Sequence, residues 1–201
     1  ETGSPNVGWV NENEALGTGD ATFDSVGLSP KHVGGISEYS RQMVMQSSPD
    51  IENLLRGMLA RDIGTEIDRA AISGTGADAE PLGILNDTDV PTVAFDTDLF
   101  TTTADMIGTA DAANVGSRRA FLATNALKIS AMKLRDANEL PIPLSATFHG
   151  ETVNFTNQAP SNLGVDEDEE ALIYGDWRDF LIGVWSQLDV LVNPYAESSY
   201  S

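Results

Sequence analysis

Few residues of this 201-residue chain have the types and spacing that catalysis or metal binding requires. The two histidines, His32 and His149, lie far apart and cysteine is absent, so the usual zinc-ligand spacings do not occur. The acidic run at residues 166–170 lacks the spaced oxygen ligands and central glycine of an EF-hand loop, which favours a solvated loop. No serine lies in a G-x-S-x-G nucleophile elbow. The sequence therefore predicts no catalytic residue, no cofactor and no metal site.

The Gly74-Thr75-Gly76 motif invites comparison with phosphate-binding loops. Such loops follow a strand and open a helix, whereas this motif follows a long amphipathic run at residues 51–72. A helix C-terminus that uses the tolerance of glycine for positive φ explains the motif better. We therefore predict that a helix stops here.

The charge balance is strongly acidic, with 31 acidic and 11 basic residues and a net charge of −20. Such a surface repels nucleic acid phosphates, although a protein with this surface could still enclose nucleic acid without gripping it. No apolar run approaches the length of about 20 residues that crosses a bilayer, so we expect no membrane partner. Hydrophobic residues make up 41% of the chain, which is enough for a sizeable core.

The run at residues 51–72 reads as one long helix. Ser48 is the natural N-cap, Pro49 suits the first helical position, and Asp50 and Glu52 place negative charge in the first turn. From Pro49 onward the helix would be about 36 Å long. Its apolar residues recur at intervals of three and four: Ile51, Leu54, Leu55, Met58, Leu59, Ile63, Ile67, Ala70 and Ala71. We expect this stripe to face a sheet of its own chain.

The other predicted elements are a mixture of strands and helices without regular alternation, which indicates an α+β fold. Residues 1–46 are poor in helix signals and read as an extended arm with two strand pieces, at 22–28 and 33–36. Helices are predicted at 100–113 and after Asn125, which would be an N-cap. Further strands are predicted at 92–94, 120–124, 153–156, 171–174, 180–184 and 188–192.

The order of these pieces resembles the major capsid proteins of tailed bacteriophages and prophages that share the HK97 fold. In that family an alanine-rich helix runs into an "NGTG…P-x-GIL" junction, and here Ser73-Gly74-Thr75-Gly76 is followed by Glu80-Pro81-Leu82-Gly83-Ile84-Leu85-Asn86. Residues 150–160 resemble the family's "G-x-x-V-x-x-x-x-x-x-P" strand and turn. Gly175-Asp176-Trp177 with Phe180-Leu181-Ile182-Gly183 resembles its "GDF…YLIG" strand pair.

The resemblance implies an HK97-like major capsid fold in three parts. Residues 1–46 would be the extended arm or E-loop, which in the family lies over an adjacent subunit. Residues 47–90 and 181–201 would form the peripheral domain with the long spine helix, and residues 91–180 the axial domain, which meets its copies around a fivefold or sixfold axis. The expected inter-subunit contacts lie on the arm: Val7, Trp9, Phe23, Val26 and Leu28.

The function implied is that of a structural subunit, not an enzyme, of an icosahedral phage or prophage capsid. Its partners would be its own copies, in pentamers and hexamers, and packaged DNA enclosed without sequence-specific binding. It would be found in the virion capsid, after assembly in the bacterial host cytoplasm. Two alternatives remain: an encapsulin-like compartment of the same fold that houses cargo enzymes, and an acid-rich enzyme, which would need clustered carboxylates with perturbed pKa values in a pocket.

The sequence also departs from the family in two respects. Some members cross-link covalently through an E-loop lysine, but the matching place here reads Phe23-Asp24-Ser25, so we expect no isopeptide bond. The start at Glu1 without an initiator Met, and the end soon after Tyr195, where family members return with further strands and a helix, lead us to expect a piece of a longer chain.

Overall fold

The computed structural model describes residues 7–12, 15, 17–20, 25–46, 51–164, 166 and 169–191, which belong to two compact units, Glu1–Pro30 and Lys31–Ser201. The helices are α1 Arg41–Gln46, α2 Ile51–Ser73, α3 Leu99–Ala112, α4 Asn125–Lys133 and α5 Leu144–Thr147, with a 3₁₀ turn at Ile84–Asn86. The strands are β1 Arg119–Thr124, β2 Thr152–Thr156 and β3 Leu172–Asp176. This content confirms the predicted α+β class.

The three strands form one sheet in the order β2-β1-β3. The central strand β1 is parallel to β2 and antiparallel to β3, and Phe121 lies opposite both Val153 and Tyr174. A parallel pair needs a crossover connection, and α4 and α5 supply it between β1 and β2. The sheet therefore occupies the centre of the second unit.

Each face of the sheet has its own hydrophobic core, because successive strand residues point to opposite faces. One face buries Phe121 and Phe148 completely, together with Leu99 and Ala131, so that α3, α4 and α5 all cover this side. The core of the other face joins the last turn of α2 to the sheet and contains Ile72, Ala159, Ala171 and Ile173. The sheet is thus the middle layer of the unit.

Two helices begin with a side-chain cap that fixes their position on the sheet. The Asp98 carboxylate accepts a hydrogen bond from the Thr101 N–H at 2.7 Å at the start of α3. The Thr124 hydroxyl accepts one from the Leu127 N–H at 3.1 Å at the start of α4. The predicted N-cap Asn125 is therefore wrong by one residue: the last residue of β1 has extended φ and ψ and acts as the cap, while Asn125 is already helical.

The long helix is confirmed as α2, but its apolar stripe is only partly covered. Ile51 and Ala70 are buried, whereas Leu54, Met58 and Ile67 are exposed. Within the described residues the sheet reaches α2 through the last turn of the helix, so the expectation that the rest of the stripe faces a sheet of the same chain stays a prediction. The predicted cap at residues 48–50 lies outside the described residues.

Several predicted strands are not strands in the structure. Residues 25–28, 33–36, 92–94, 180–184 and 188–191 have no regular secondary structure, while 22–24 and 192 lie outside the described residues. A strand needs a neighbour to pair with, and the sequence pattern does not say whether one is present. Conversely, α1 was not predicted, although Ser40 supplies a cap signal: its hydroxyl accepts a hydrogen bond from the Met43 N–H at 3.2 Å.

Candidate interaction surface

The described arm residues that the sequence singles out are all exposed. Trp9 and Val7 keep 105% and 89% of their reference surface in solvent, Val26 80% and Leu28 50%; Phe23 lies outside the described residues. None of the four belongs to a packed core of the described chain. Burying one such side chain against a partner contributes about 1.5–3 kcal/mol, so the arm carries the apolar surface that an interface requires.

The second unit has further exposed apolar side chains, and the sequence analysis assigned some of them to predicted strands or to the apolar stripe of α2. Met43 and Met45 are exposed on α1, and Leu54, Met58 and Ile67 on α2. A third group follows β3 and contains Leu181, Ile182, Val184, Trp185, Leu188 and Leu191. Several exposed apolar side chains within a short segment indicate a candidate contact site, and the sequence signal for the last group is the imperfect alternation after residue 180.

Residues just before α1 lie against α2. The Lys31 ammonium donates a hydrogen bond to the Asp78 carbonyl at 3.0 Å, beyond the C-terminal end of α2. Four residues later, Gly35 lies beside Leu59 near the middle of α2, where an added Cβ would be 3.5 Å from the leucine side chain. The segment therefore runs from the end of α2 back along the helix.

The junction after α2 depends on close contact between two stretches of backbone. A Cβ at Gly83 would lie 2.6 Å from Ser73 N and closer still to Gly74 N, so only glycine fits there. Gly83 N donates to the Gly74 carbonyl at 2.9 Å. The Asn86 amide donates to the carbonyls of Ser73 at 3.1 Å and Gly74 at 2.9 Å, which satisfies groups that a helix end leaves without partners. The motif is thus the helix stop that the sequence predicts.

A charged network fixes the same junction. Glu80 accepts hydrogen bonds from the Thr75 hydroxyl at 2.7 Å and the Thr75 N–H at 3.1 Å, and it pairs with Arg69. Arg69 also binds Glu66. The Thr75 hydroxyl, with Arg69, lowers the pKa of Glu80 to about 2. The low pKa of Glu80 is therefore explained by its two structural partners, Thr75 and Arg69.

Other perturbed groups have similar structural causes. Hydrogen bonds from the Arg178 guanidinium lower the pKa of Asp176 to about 2. Burial is the main cause that raises the pKa of Tyr174 to about 12. The imidazole Nε2 of His149 lies 3.0 Å from the Phe100 carbonyl oxygen, and its ring contacts the Phe100 ring. These contacts hold loops and helices together and place no nucleophile beside a base.

The described residues also hold no group of three or more acidic or histidine side chains suited to a metal ion. No helix within the described ranges is long and apolar enough to cross a membrane. The outstanding feature of the surface is exposed apolar side chains on a strongly acidic chain. Such an arrangement is suited to contacts with other macromolecules.

Comparison with known proteins gives consistent matches. The model of the phage capsid family matches residues 1–200. The major capsid protein of Halomonas phage phiHAP-1 is 27% identical over 195 residues, which cover 94% of this chain and 31% of that protein. The chain thus spans about a third of the length of this curated relative.

Two solved structures share the fold at 20% sequence identity. The capsid of a native GTA particle, computed with C5 symmetry, matches with a TM-score of 0.61 over 87% of this chain and 65% of that one. The capsid of an empty GTA particle, computed with the same symmetry, matches with a TM-score of 0.55 over 74% and 56% of the two chains.

Proposed function

Because the chain belongs to the phage capsid family, we propose that it is a structural subunit of an icosahedral phage or prophage capsid that self-assembles around DNA. The family match over residues 1–200 is the observation that carries the proposal. The partners are copies of the chain, in pentamers and hexamers, and DNA held without sequence-specific binding. Assembly takes place in the bacterial host cytoplasm and the product is the virion capsid. The curated relative is a phage major capsid protein, which favours this function over an encapsulin-like compartment.

The proposal includes the HK97-like division of the chain. Residues 1–46 act as the E-loop, 47–90 with 181–201 as the peripheral domain, and 91–180 as the axial domain. The 23-residue length of α2 supports its role as the spine helix. The sheet and helices α3 to α5 all lie between residues 99 and 176, which supports assigning this part of the chain to the axial domain.

Assembly proceeds through many weak contacts that repeat around a closed shell. Each copy carries a net charge of −20, so copies repel one another at long range and apolar contacts must overcome this repulsion. The arm supplies such contacts through Val7, Trp9, Phe23, Val26 and Leu28. Because each copy makes several contacts at once, modest individual energies add up to a stable particle. This role is structural and involves no chemical step.

The test is assembly of the purified full-length protein, followed by sedimentation velocity and negative-stain electron microscopy. We expect Trp9→Ala to keep the circular dichroism of the helices and to weaken association by about tenfold or more, because truncating a central aromatic contact typically costs about 2 kcal/mol. Thr18→Ala, an exposed position on the same arm, is the matched control. A wild-type protein that forms no particles would contradict the proposed function, whereas intact shells from Trp9→Ala would contradict only the role of the arm.

The contents of the particles distinguish the capsid from the compartment. Nuclease-protected DNA in purified particles supports the capsid. Particles that contain cargo protein and no DNA support the encapsulin-like alternative.

A further inference from the structure

Charge is segregated along the second unit. Residues 81–117 contain no basic residue but hold Asp87, Asp89, Asp96, Asp98, Asp105 and Asp111. Residues 118–135 contain no acidic residue but hold Arg118, Arg119, Lys128, Lys133 and Arg135. Five of the 11 basic residues of the chain thus fall within 18 positions, directly after a stretch whose charged residues are all acidic.

The fold places the helices of these two stretches at opposite edges of one body. In the sheet order β2-β1-β3, strands β2 and β3 are the outer strands. Helix α3 contacts β3, whereas α4 contacts β1 and β2. Both helices cover the same face of the sheet, with α5 in contact with each of them. One edge therefore carries an acidic helix and the other a basic helix.

The outward side of α4 combines cations with apolar side chains. Ala131 points into the core, while Ile129 and Met132 keep 55% and 63% of their surface exposed. Lys133 is also exposed and makes no ion pair within the described part of the chain. Lys128 lies above the Phe155 ring, 5.1 Å from its centre. This surface, residues 126–135, is named the α4 surface below.

The outward side of α3 has the complementary character. Asp105 is exposed and takes part in no ion pair among the described residues. Its exposed neighbours Ala104 and Gly108 are small, so a bulky apolar side chain can approach the helix closely. Phe100 adds a half-exposed ring at the N-terminal end. The exposed side of α3 is named the α3 surface below.

We infer that the α4 surface of one copy docks on the α3 surface of the next copy, with Lys133 facing Asp105 and with Ile129 and Met132 over the small residues of α3. The inference rests on the proposed function, and a second copy is the occupant that charge complementarity favours. Opposite charges across an interface select partner and register more than they add affinity. Nucleic acid is a poorer occupant, because the net charge of −20 repels phosphates.

The test is charge reversal on each surface and on both. We expect Lys133→Glu and Asp105→Lys each to weaken association about tenfold, because like charges then face each other across the contact. The combined variant carries a swapped pair, so we expect association close to that of the wild type. Arg118→Glu and Asp166→Lys change the charge equally at exposed positions outside both surfaces and should leave association unchanged. Sedimentation velocity in low salt provides the measurement.

The outcomes separate this inference from the proposed function. Shells that form equally well from Lys133→Glu, or a combined variant that is not restored, would overturn the inference and leave the capsid function intact. Lys133→Glu could instead leave association unchanged and abolish the binding of a DNA oligonucleotide or of a peptide of residues 7–30. That result would overturn the inference and assign the α4 surface to the ligand whose binding is lost.

Cross-linking tests the contact even when association is weak. The chain has no cysteine, so Ser130→Cys on α4 and Ala104→Cys on α3 introduce unique thiols without changing charge. With a short bismaleimide, we expect the doubly substituted chain to form a ladder of dimers, trimers and larger species, and each single variant to remain monomeric. A ladder that is absent at high protein concentration would overturn the inference, whether or not the wild type forms shells.

Discussion

At position 83 a side chain larger than hydrogen would disturb the C-terminal end of α2, because the backbone of Gly83 lies against that of Ser73 and Gly74. Gly83→Ala would place a Cβ 2.6 Å from Ser73 N, and we expect overpacking to cost about 1–3 kcal/mol of unfolding free energy. Gly57→Ala, on α2 with no atom within 4 Å of the new Cβ, is the matched control and should stabilise the chain by about 0.5–1 kcal/mol. Urea denaturation followed by circular dichroism measures both. Equal effects of the two substitutions would contradict the close backbone contact.

Glu80 should make stability depend on acid pH. Its pKa falls from 4.5 to about 2 in the folded chain, chiefly through the Thr75 hydroxyl and Arg69, so the folded state favours the ionised form. The resulting stabilisation is fully present above pH 4.5 and is lost as the pH falls towards 2. We expect Glu80→Gln to be less stable than the wild type at pH 6, with a difference that shrinks between pH 4.5 and pH 2. Denaturation at a series of pH values, with Asp105→Asn as the control, provides the check; a constant difference would contradict the network.

At the scale of elements, α4 depends on its cap. Thr124 is almost fully buried, and its hydroxyl binds the Leu127 N–H and donates to Glu170. We expect Thr124→Ala to cost about 1 kcal/mol of unfolding free energy, whereas Thr124→Ser keeps the hydroxyl and should cost less. Because Lys133 lies on the same helix, the alanine variant should also associate less well. Thermal unfolding and sedimentation of both variants test the two effects, and equal losses in alanine and serine would assign the effect to the lost methyl group.

The sequence predicts an element well when the element has a clear hydrophobic pattern and also packs against another part of the same chain. The stripe from Ile51 identifies α2, and the run around Phe121 identifies β1 because it is buried between two other strands. The segments at 180–184 and 188–191 have a strand-like pattern but no strand partner among the described residues, so the prediction fails there. The sequence pattern indicates which side chains favour burial, but it does not identify the strand or surface that would bury them.

Of the proposed contact surfaces, one can be predicted from the sequence and the other requires the structure. Val7 and Trp9 can be predicted as contact residues from the sequence, because they lie in a segment with too little apolar area to bury them. The α4 surface cannot, since Lys128 and Lys133 look like an ordinary solvated helix side until the sheet order shows α3 at the opposite edge. That relation belongs to the tertiary structure alone.

At the scale of the whole molecule, the arm should report on assembly. Glu12 lies in exposed chain without helix or strand, and such backbone is cleaved readily by proteases. We expect a glutamate-specific protease to cut early after Glu12 in the unassembled protein and late after Glu66, which lies in α2 and pairs with Arg69. In assembled particles the neighbour should protect Glu12. Mass spectrometry of timed digests gives the order, and cleavage after Glu12 at equal rates in both states would contradict burial of the arm.

The positions of α3 and α4 at opposite edges of the sheet have a consequence for how many copies can join. When the α4 surface of one copy binds the α3 surface of the next, as we infer, the pair still has one free surface of each kind, so further copies can add. Addition ends only when the tilt between successive copies brings the last one back to the first. Under the inferred contact, rings of different size would therefore differ in this tilt and not in the pair of surfaces that each copy uses.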